Sequence, residues 1–196
     1  LEFIGGEPWL EIDLIDKITD YCIGRLIELH HPWATKFRLS ICSNGILHFD
    51  PKVQEYMRKH RNHLSYSISI DGNKELHDSC RVFPDGSGSY DIAIEGVKDW
   101  VAKGGYMGSK VTLAPGNIHY TYDAVVSLIN SGYTEININC VYEEGWTYKH
   151  ATILYNELKK LSDYLINNDL FDKVYVAMFN ENFFHPKKED DLQNWY

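Results

Sequence analysis

Residues 64–72 read LSYSISIDG, and this stretch decides which fold the sequence predicts. Apolar side chains at its even positions alternate with serines, which is the period-two pattern of a strand with one apolar and one polar face. Residues 38–42 and 136–139 alternate in the same way. Strands buried on both faces of a parallel sheet usually form continuous apolar runs instead. We therefore expect the apolar faces to pack on helices and the polar faces to line a small barrel. The alternative, edge strands with a solvated face, is disfavoured by their number and mid-chain position.

Outward from this strand, hydrophobic periods of two and 3.6 alternate along the chain. Strands are predicted at residues 1–4, 36–42, 64–70, 107–114, 134–141 and 174–179, and helices at 11–30, 51–60, 90–103, 120–131 and 147–168. Asp50 before Pro51 is typical of a helix start. Repeated strand–helix units predict parallel strands with right-handed crossovers. The predicted class is α/β, a partial (β/α) barrel of TIM type with about six parallel strands and helices outside; an open doubly wound sheet is the alternative.

Composition narrows the functional classes. The chain has 196 residues, 44% of them hydrophobic, and a formal net charge of -9. This acidic balance argues against a nucleic-acid binder and against a peripheral protein on anionic membranes. No apolar run approaches the roughly 18 residues of a membrane span, and the acidic residues at positions 2 and 7 are atypical of a signal peptide. We expect a cytoplasmic protein with no nucleic-acid partner and no membrane association.

The four cysteines, Cys22, Cys42, Cys80 and Cys140, are far apart in the sequence. Their spacing matches neither a zinc site nor a redox pair. Each is interpreted as a small buried residue with a free thiol.

Ligands of α/β folds bind beyond the carboxyl ends of the strands. Those positions read GGEP at 5–8, SNG at 43–45, SIDG at 69–72, PGN at 115–117 and CV at 140–141. Two adjacent glycines let the backbone approach a ligand closely. Nearby carboxylate and imidazole groups are candidates for acid–base chemistry if two of them converge. These groups belong to Glu7, Asp71, His77 and Asp78.

Together these blocks resemble radical S-adenosylmethionine (SAM) enzymes. Residues 1–8, LEFIGGEP, resemble the glycine-rich strand of that superfamily, and residues 43–45 resemble its third-strand turn. Residues 67–81, SISIDGNKELHDSCR, resemble its serine, Asp-Gly, His-Asp and arginine block, and the loop at 86–90 follows. The order is kept across residues 1–141. The branch most resembled is that of anaerobic sulfatase-maturating enzymes and SPASM-type peptide maturases.

The resemblance implies SAM as cofactor and a defined binding site. Its residues are Gly5, Gly6, Glu7, Pro8, Ser43, Ser69, Arg81 and Val141. In that site the backbone at Gly6 meets the methionine amino group, and the Ser69 hydroxyl contacts the cofactor. Arg81 pairs with the cofactor carboxylate, and Val141 contacts the adenine. No catalytic residue is assigned.

Each assignment has a structural alternative. Ser69 is alternatively a strand-end hydroxyl, and Arg81 a partner in a surface ion pair. Glu7 is expected to fix its turn, Asp71 to cap the following loop, and the His-Asp pair to order the same loop.

The sequence departs from the family pattern, and these departures limit what the resemblance implies. The superfamily holds a 4Fe–4S cluster with a CxxxCxxC loop, and the sequence contains no such motif. We expect residues 1–180 to be a radical SAM core that lacks its first strand–helix unit, with the cluster only in a longer parent protein. No metal ligand is assigned, and residues 181–196 are expected to be a tail leading to a further domain. Ile4 and Cys42 replace glutamines of the maturases, so a sulfatase substrate is not expected.

The parent enzyme would cleave SAM reductively to methionine and a 5′-deoxyadenosyl radical, which would abstract hydrogen from a peptide or protein and so modify it. This chain by itself is expected to be catalytically inactive. The alternatives are a (β/α)-barrel acid–base enzyme and a non-catalytic domain that binds a ligand or peptide. We also expect dimerisation through the strand at residues 1–4, because an unpaired apolar edge pairs readily with another chain.

Overall fold

The computed structural model describes residues 1–141 and 145–180, so the predicted tail at 181–196 lies outside the described residues. Strands and helices alternate along the chain as predicted. The strands are β1 (Glu2–Phe3), β2 (Leu39–Ser43), β3 (Leu64–Ile68), β4 (Gly108–Leu113), β5 (Glu135–Cys140) and β6 (Tyr175–Val176). The α-helices are α1 (Ile12–Glu28), α2 (Pro51–His60), α3 (Lys74–Cys80), α4 (Tyr90–Ala102), α5 (Thr121–Asn130) and α6 (Tyr148–Asn167).

Local signals explain most of these boundaries. The Asp50 carboxylate accepts from the amide of Lys52 at 2.8 Å, which is the predicted cap of α2. Helix α3 was not predicted; it begins after Asn73, whose side chain accepts from the amide of Leu76 at 2.9 Å. The last predicted strand is shortened, because Ala177–Phe179 turns into a 3₁₀ helix.

All strand pairs are parallel, but they form two sheets rather than one barrel wall. The sheets have the orders β1-β2-β3 and β4-β5-β6. The predicted continuous wall of about six strands is therefore not observed among the described residues. At the boundary, Tyr133 Oη donates to the carbonyl of Ile68 at 2.9 Å, and Ser109 Oγ donates to the carbonyl of Ile70 at 3.0 Å. Side-chain hydroxyls thus take carbonyls that the backbone of a neighbouring strand would otherwise use.

The two faces of the strands differ as the alternation predicts. The buried side chains include Leu39, Ile41, Tyr66, Ile68, Ile70, Val111, Leu113, Ile136 and Ile138, and they belong to one core with the helices. The opposite side, here called the polar face, consists of Ser40, Cys42, Ser65, Ser67, Ser69, Lys110, Thr112, Asn137 and Asn139. Its members are exposed or half-buried. Within residues 1–141 and 145–180, the polar face is therefore open to solvent and encloses no chamber.

An aromatic cluster behind β2 and β3 holds the segment that follows β1. Trp9 is almost fully buried, and its ring lies 5.7 Å from the ring of Tyr66 and 5.7 Å from that of Tyr56. Trp9 Nε1 donates to Tyr66 Oη at 3.4 Å. Burial raises the pKa of Tyr66 well above its ordinary value, so the hydroxyl keeps its proton. Trp9 therefore fixes the chain directly after the GGEP stretch.

The structure also bears on the expectations about membrane spans and about the edge of β1. None of the helices within the described ranges has the length and apolar character needed to span a bilayer. Strand β1 pairs with β2 through Glu2 opposite Ser40 and Phe3 opposite Ile41. Dimerisation through its other edge stays a prediction.

The boundary between the sheets can be tested at Tyr133. Replacing it by phenylalanine (Tyr133→Phe) keeps the buried ring but leaves the Ile68 carbonyl without its donor. We expect the free energy of unfolding to fall by about 1–3 kcal/mol, measured by urea denaturation. The control is Tyr155→Phe, which removes a hydroxyl from an exposed ring. Equal effects of the two substitutions would contradict the role given to Tyr133.

Candidate functional site

The glycine pair after β1 presents an open backbone. Gly5 and Gly6 have φ angles of 92° and 54°, in the left-handed region that favours glycine. A Cβ atom on either residue would meet no described atom within 4 Å outside the adjacent residues. Backbone conformation, and not crowding, therefore requires glycine here. The space in front of both peptide groups is free for a ligand.

The carboxylate of Glu7 fixes this pair relative to β2. Its Oε1 accepts from the amide of Trp9 at 3.1 Å and from Ser43 Oγ at 2.9 Å. Its Oε2 accepts from the amide of Asn44 at 2.7 Å. Hydrogen bonds to a charged acceptor are stronger than neutral ones. Pro8 is buried at the start of the 3₁₀ helix Pro8–Glu11, so Glu7 and Pro8 shape the turn.

Ser43 is a structural link in this arrangement. It is 2% exposed and lies on the buried side of β2 with Leu39 and Ile41. Its hydroxyl donates to Glu7 and accepts from the amide of Gly45 at 2.9 Å. Contact with a cofactor stays a prediction for Ser43, whose hydroxyl could donate to a ligand only by leaving Glu7.

Ser69 lies on the polar face with an accessible hydroxyl. Its amide donates to the carbonyl of Ser43 at 2.9 Å, so it continues the β2–β3 register past the end of β3. Its Oγ lies 3.5 Å from Cys42 Sγ, and Cys42 is exposed. The structure thus places a hydroxyl and a thiol side by side, and the sequence analysis did not connect these two residues as neighbours.

Arg81 is held beside the end of β3 by Asp71. Arg81 Nε donates to a carboxylate oxygen of Asp71. The Arg81 side chain is 39% exposed and that of Asp71 is 16% exposed. The guanidinium is therefore positioned by an internal ion pair while part of it faces solvent. A ligand carboxylate bound by Arg81 would share it with Asp71.

A buried histidine orders the loop that carries Arg81. His77 Nδ1 accepts from the amide of Asp71 at 3.4 Å, so Nε2 carries the proton and donates to Ser89 Oγ at 3.1 Å. Ser89 Oγ in turn donates to the carbonyl of Arg81 at 3.0 Å. Burial lowers the pKa of His77, which favours the neutral ring that this chain of bonds needs. The sequence analysis missed Ser89, because only the fold brings it to His77.

The acid–base interpretation is not supported by these contacts. Asp78 Oδ1 accepts from the amide of Tyr90 at 2.9 Å and so caps α4. Glu7 and Asp71 are bound as described, and His77 is buried. The four candidate groups order the strand ends instead of converging on an open space.

Val141 lies at the carboxyl end of β5, in the second sheet. Its amide donates to the carbonyl of Leu113 at 2.9 Å, and its carbonyl accepts from Trp146 Nε1 at 2.6 Å. The side chain is half-buried. The other seven predicted residues lie at, or in the segments after, the carboxyl ends of β1, β2 and β3.

The cysteines do not fit an iron–sulfur cluster. All four lie within the described ranges as free thiols, in α1, β2, α3 and β5. The expectation that they are buried is wrong, because Cys42 faces the polar side and Cys80 ends α3, both exposed, while Cys22 and Cys140 are half-buried. No described cysteine belongs to a group of three potential ligands whose donor atoms lie close together. The one such group described, which the sequence analysis missed, is Asp16, Asp20 and His60.

Sequence comparisons find a distant relative and no family model. No protein-family model matches the sequence. An uncharacterized protein of Methanocaldococcus jannaschii is 26% identical over 163 residues, which are 82% of this chain and 53% of that protein. The chain thus spans about half the length of the curated relative that it matches.

The solved structures that the chain resembles in fold include the following radical SAM enzymes. An anaerobic sulfatase-maturating enzyme, anSMEcpe with bound AdoMet and the Cp18Cys peptide, matches with a TM-score of 0.72 at 18% identity, over 96% of this chain and 54% of that chain. SuiB of Streptococcus suis bound to S-adenosylmethionine matches at 0.57 and 14% identity, over 89% and 36%. A domain of pyruvate-formate lyase-activating enzyme from Bacteroides vulgatus matches at 0.51 and 14% identity, over 90% and 96%. The resemblance inferred from the sequence motifs is confirmed at the level of the fold.

The link made by Glu7 can be measured through stability. Glu7→Ala removes the acceptor for two amides and a hydroxyl. Since hydrogen bonds to a charged group contribute about 1.5–3 kcal/mol, we expect the free energy of unfolding to fall by about that amount. Glu11→Ala is the control, because Glu11 is exposed and its side chain makes no capping hydrogen bond to α1. A loss in Glu7→Ala no larger than in the control would refute the link.

The loop ordered by His77 should be sensitive to acid. Because burial lowers the folded pKa of His77, the unfolded chain takes up a proton at a higher pH than the folded chain does. The free energy of unfolding should therefore fall as the pH falls from the ordinary histidine pKa, about 6.5, toward the lower folded value. His77→Gln should remove up to about 1.4 kcal/mol per pH unit of this dependence. An unchanged slope, equal to that of exposed His119→Gln, would exclude His77 as its source.

Proposed function

We propose that the chain is the core of a radical SAM enzyme and that SAM binds at the carboxyl ends of β1–β3 and β5. The observation that carries the proposal is the open Gly5–Gly6 backbone, which Glu7 holds against the turn after β2. The fold supports it, since anSMEcpe and SuiB with this fold are described with bound SAM.

The chain's residues fit the parts of SAM. The exposed backbone of the glycine pair suits its cationic amino group, and the Ser69 hydroxyl lies on the polar face. The partly exposed guanidinium of Arg81 suits a carboxylate, and its pairing with Asp71 reduces the mobility of the side chain before binding. Val141 offers an apolar contact for the adenine. Bound SAM that is reduced by one electron would supply the 5′-deoxyadenosyl radical, which removes a hydrogen atom from carbon.

The proposed substrate is a peptide or protein, which the reaction modifies covalently. The polar face is open and carries hydroxyl, thiol and amide groups that can bond a peptide backbone. anSMEcpe, which has this fold, is described with a bound peptide. Ile4 and Cys42 would border the substrate in this arrangement.

The described cysteines do not form a set of ligands for an iron–sulfur cluster. Because the four cysteines lie apart, the ligands of any cluster are not Cys22, Cys42, Cys80 and Cys140. We propose that the chain binds SAM without turning it over. A non-catalytic ligand-binding domain is the second candidate, and the same separation of the cysteines favours it.

Calorimetric titration with SAM tests the proposed site. We expect the wild-type chain to bind, and Ser69→Ala to weaken binding about two- to tenfold through loss of one hydrogen bond. Arg81→Met should weaken it further, because a charged partner is lost. Ser40→Ala is the matched control, because Ser40 also lies on the polar face but near the amino end of β2. Absence of binding by the wild type, or equal losses at residues 40 and 69, would refute the site.

A further inference from the structure

Two helices on the outside of the first sheet bring together three potential metal ligands. Asp16 and Asp20 are four residues apart on α1 and so lie on the same side of that helix. His60 is the last residue of α2. One ligand atom from each of the three lies within 4.8 Å of the other two. This group is on the helix side of the strands, away from the polar face.

The imidazole of His60 is the unusual member. It is 5% exposed, and Nε2 is the one buried side-chain polar atom in the described part of the chain without a hydrogen-bond partner. Nε2 lies 3.8 Å from Asp16 Oδ1, which is too long for a hydrogen bond. A buried polar atom without a partner costs about 1–3 kcal/mol. His60 Nε2 therefore faces the carboxylates without being satisfied by them.

The two carboxylates already attract a cation. Lys59 Nζ lies 2.9 Å from Asp16 Oδ1 and 2.7 Å from Asp20 Oδ1. Its side chain is 36% exposed, so the ammonium can swing into solvent. The ammonium pairs with both carboxylates but leaves His60 Nε2 without a partner. A metal ion would bind the oxygens and the nitrogen together, which the ammonium in this arrangement does not do.

We propose that Asp16, Asp20 and His60 bind a divalent transition metal ion, with Zn²⁺ as the representative, and that the ion displaces the ammonium of Lys59. One imidazole nitrogen with two carboxylate oxygens suits Zn²⁺, Co²⁺ or Ni²⁺, whereas Mg²⁺ and Ca²⁺ prefer oxygen ligands alone. The ligand atoms must approach by roughly 1–1.5 Å to reach bonds of about 2.1 Å. Water would complete the coordination, because both carboxylates are partly exposed.

Burial supports the ligand role of His60. Because the residue is only 5% exposed, its ring is held in place with Nε2 3.8 Å from Asp16 Oδ1. The bound ion would join α1 to α2, which are consecutive helices flanking β2. It lies near the amino end of β3, and so its role would be to stabilise the first sheet rather than to react with substrate.

Calorimetry with ZnCl2 on the metal-stripped protein, with thermal unfolding in Zn²⁺ and in EDTA, tests this site. We expect one binding event and a higher melting temperature in Zn²⁺, because a ligand of the folded state stabilises it. His60→Gln and Asp16→Asn should each weaken binding at least about tenfold through loss of a ligand. Lys59→Met should tighten it, since the competing ammonium is gone. His119→Gln, at an exposed histidine outside the group, should leave the affinity unchanged.

Several results would overturn the proposal. They are the absence of Zn²⁺ binding by the wild type, binding that survives His60→Gln, and binding that Lys59→Met weakens. Asp20→Asn provides a second ligand variant if far-UV circular dichroism shows that His60→Gln is unfolded. Co²⁺ gives an independent readout, because ligation by nitrogen and oxygen lacks the thiolate charge-transfer band that binding to a cysteine produces. A thiolate band would therefore also refute the site.

Discussion

The carboxylate of Glu7 joins the segment after β1 to the turn after β2, and the geometry of the strand ends depends on this link. It accepts hydrogen bonds from Trp9, Ser43 and Asn44, which belong to both sides of the junction. The buried ring of Trp9 anchors one side in the aromatic core. As a result the glycine pair, which has few constraints of its own, presents its peptide groups in one orientation. Binding sites made of backbone atoms need such external support, because the backbone alone is flexible.

A similar division of labour is seen after β3. Arg81 is the residue suited to an anion, but Asp71, His77 and Ser89 determine where it lies. These three residues contribute hydrogen bonds within the loop and do not have to contact a ligand. The burial of His77 and Ser89, and the neutral state of His77, make the loop a fixed support. Of the His-Asp pair read from the sequence, His77 therefore orders the loop that carries the arginine, whereas Asp78 caps α4.

The sequence predicted those structural features that depend on neighbouring residues. Alternation at residues 64–72 gave the correct faces of β3, and Asp50 with Pro51 marked the start of α2, because both depend on neighbouring residues only. Ser43 shows the limit: its place on the buried side of β2 is visible in the alternation, yet its bond to Glu7 depends on how β1 lies beside β2. The gap between β3 and β4 was missed; it is bridged by hydrogen bonds from the hydroxyls of Tyr133 and Ser109, and these contacts exist only in the fold. His60 and Asp16 could not be connected from the sequence for the same reason.

The order of strands in the two sheets also bears on how the chain folds. Among the described residues, every strand pairs only with strands that directly precede or follow it in the sequence. Each parallel pair still joins residues that are far apart in the chain, such as Glu2 with Ser40 and Glu135 with Tyr175, and pairing of this kind slows folding. The boundary between β3 and β4 divides the chain into two halves with separate backbone ladders. Since one hydrophobic core spans both halves, we expect the amides of each ladder to exchange as one group, with the shared core coupling the two groups.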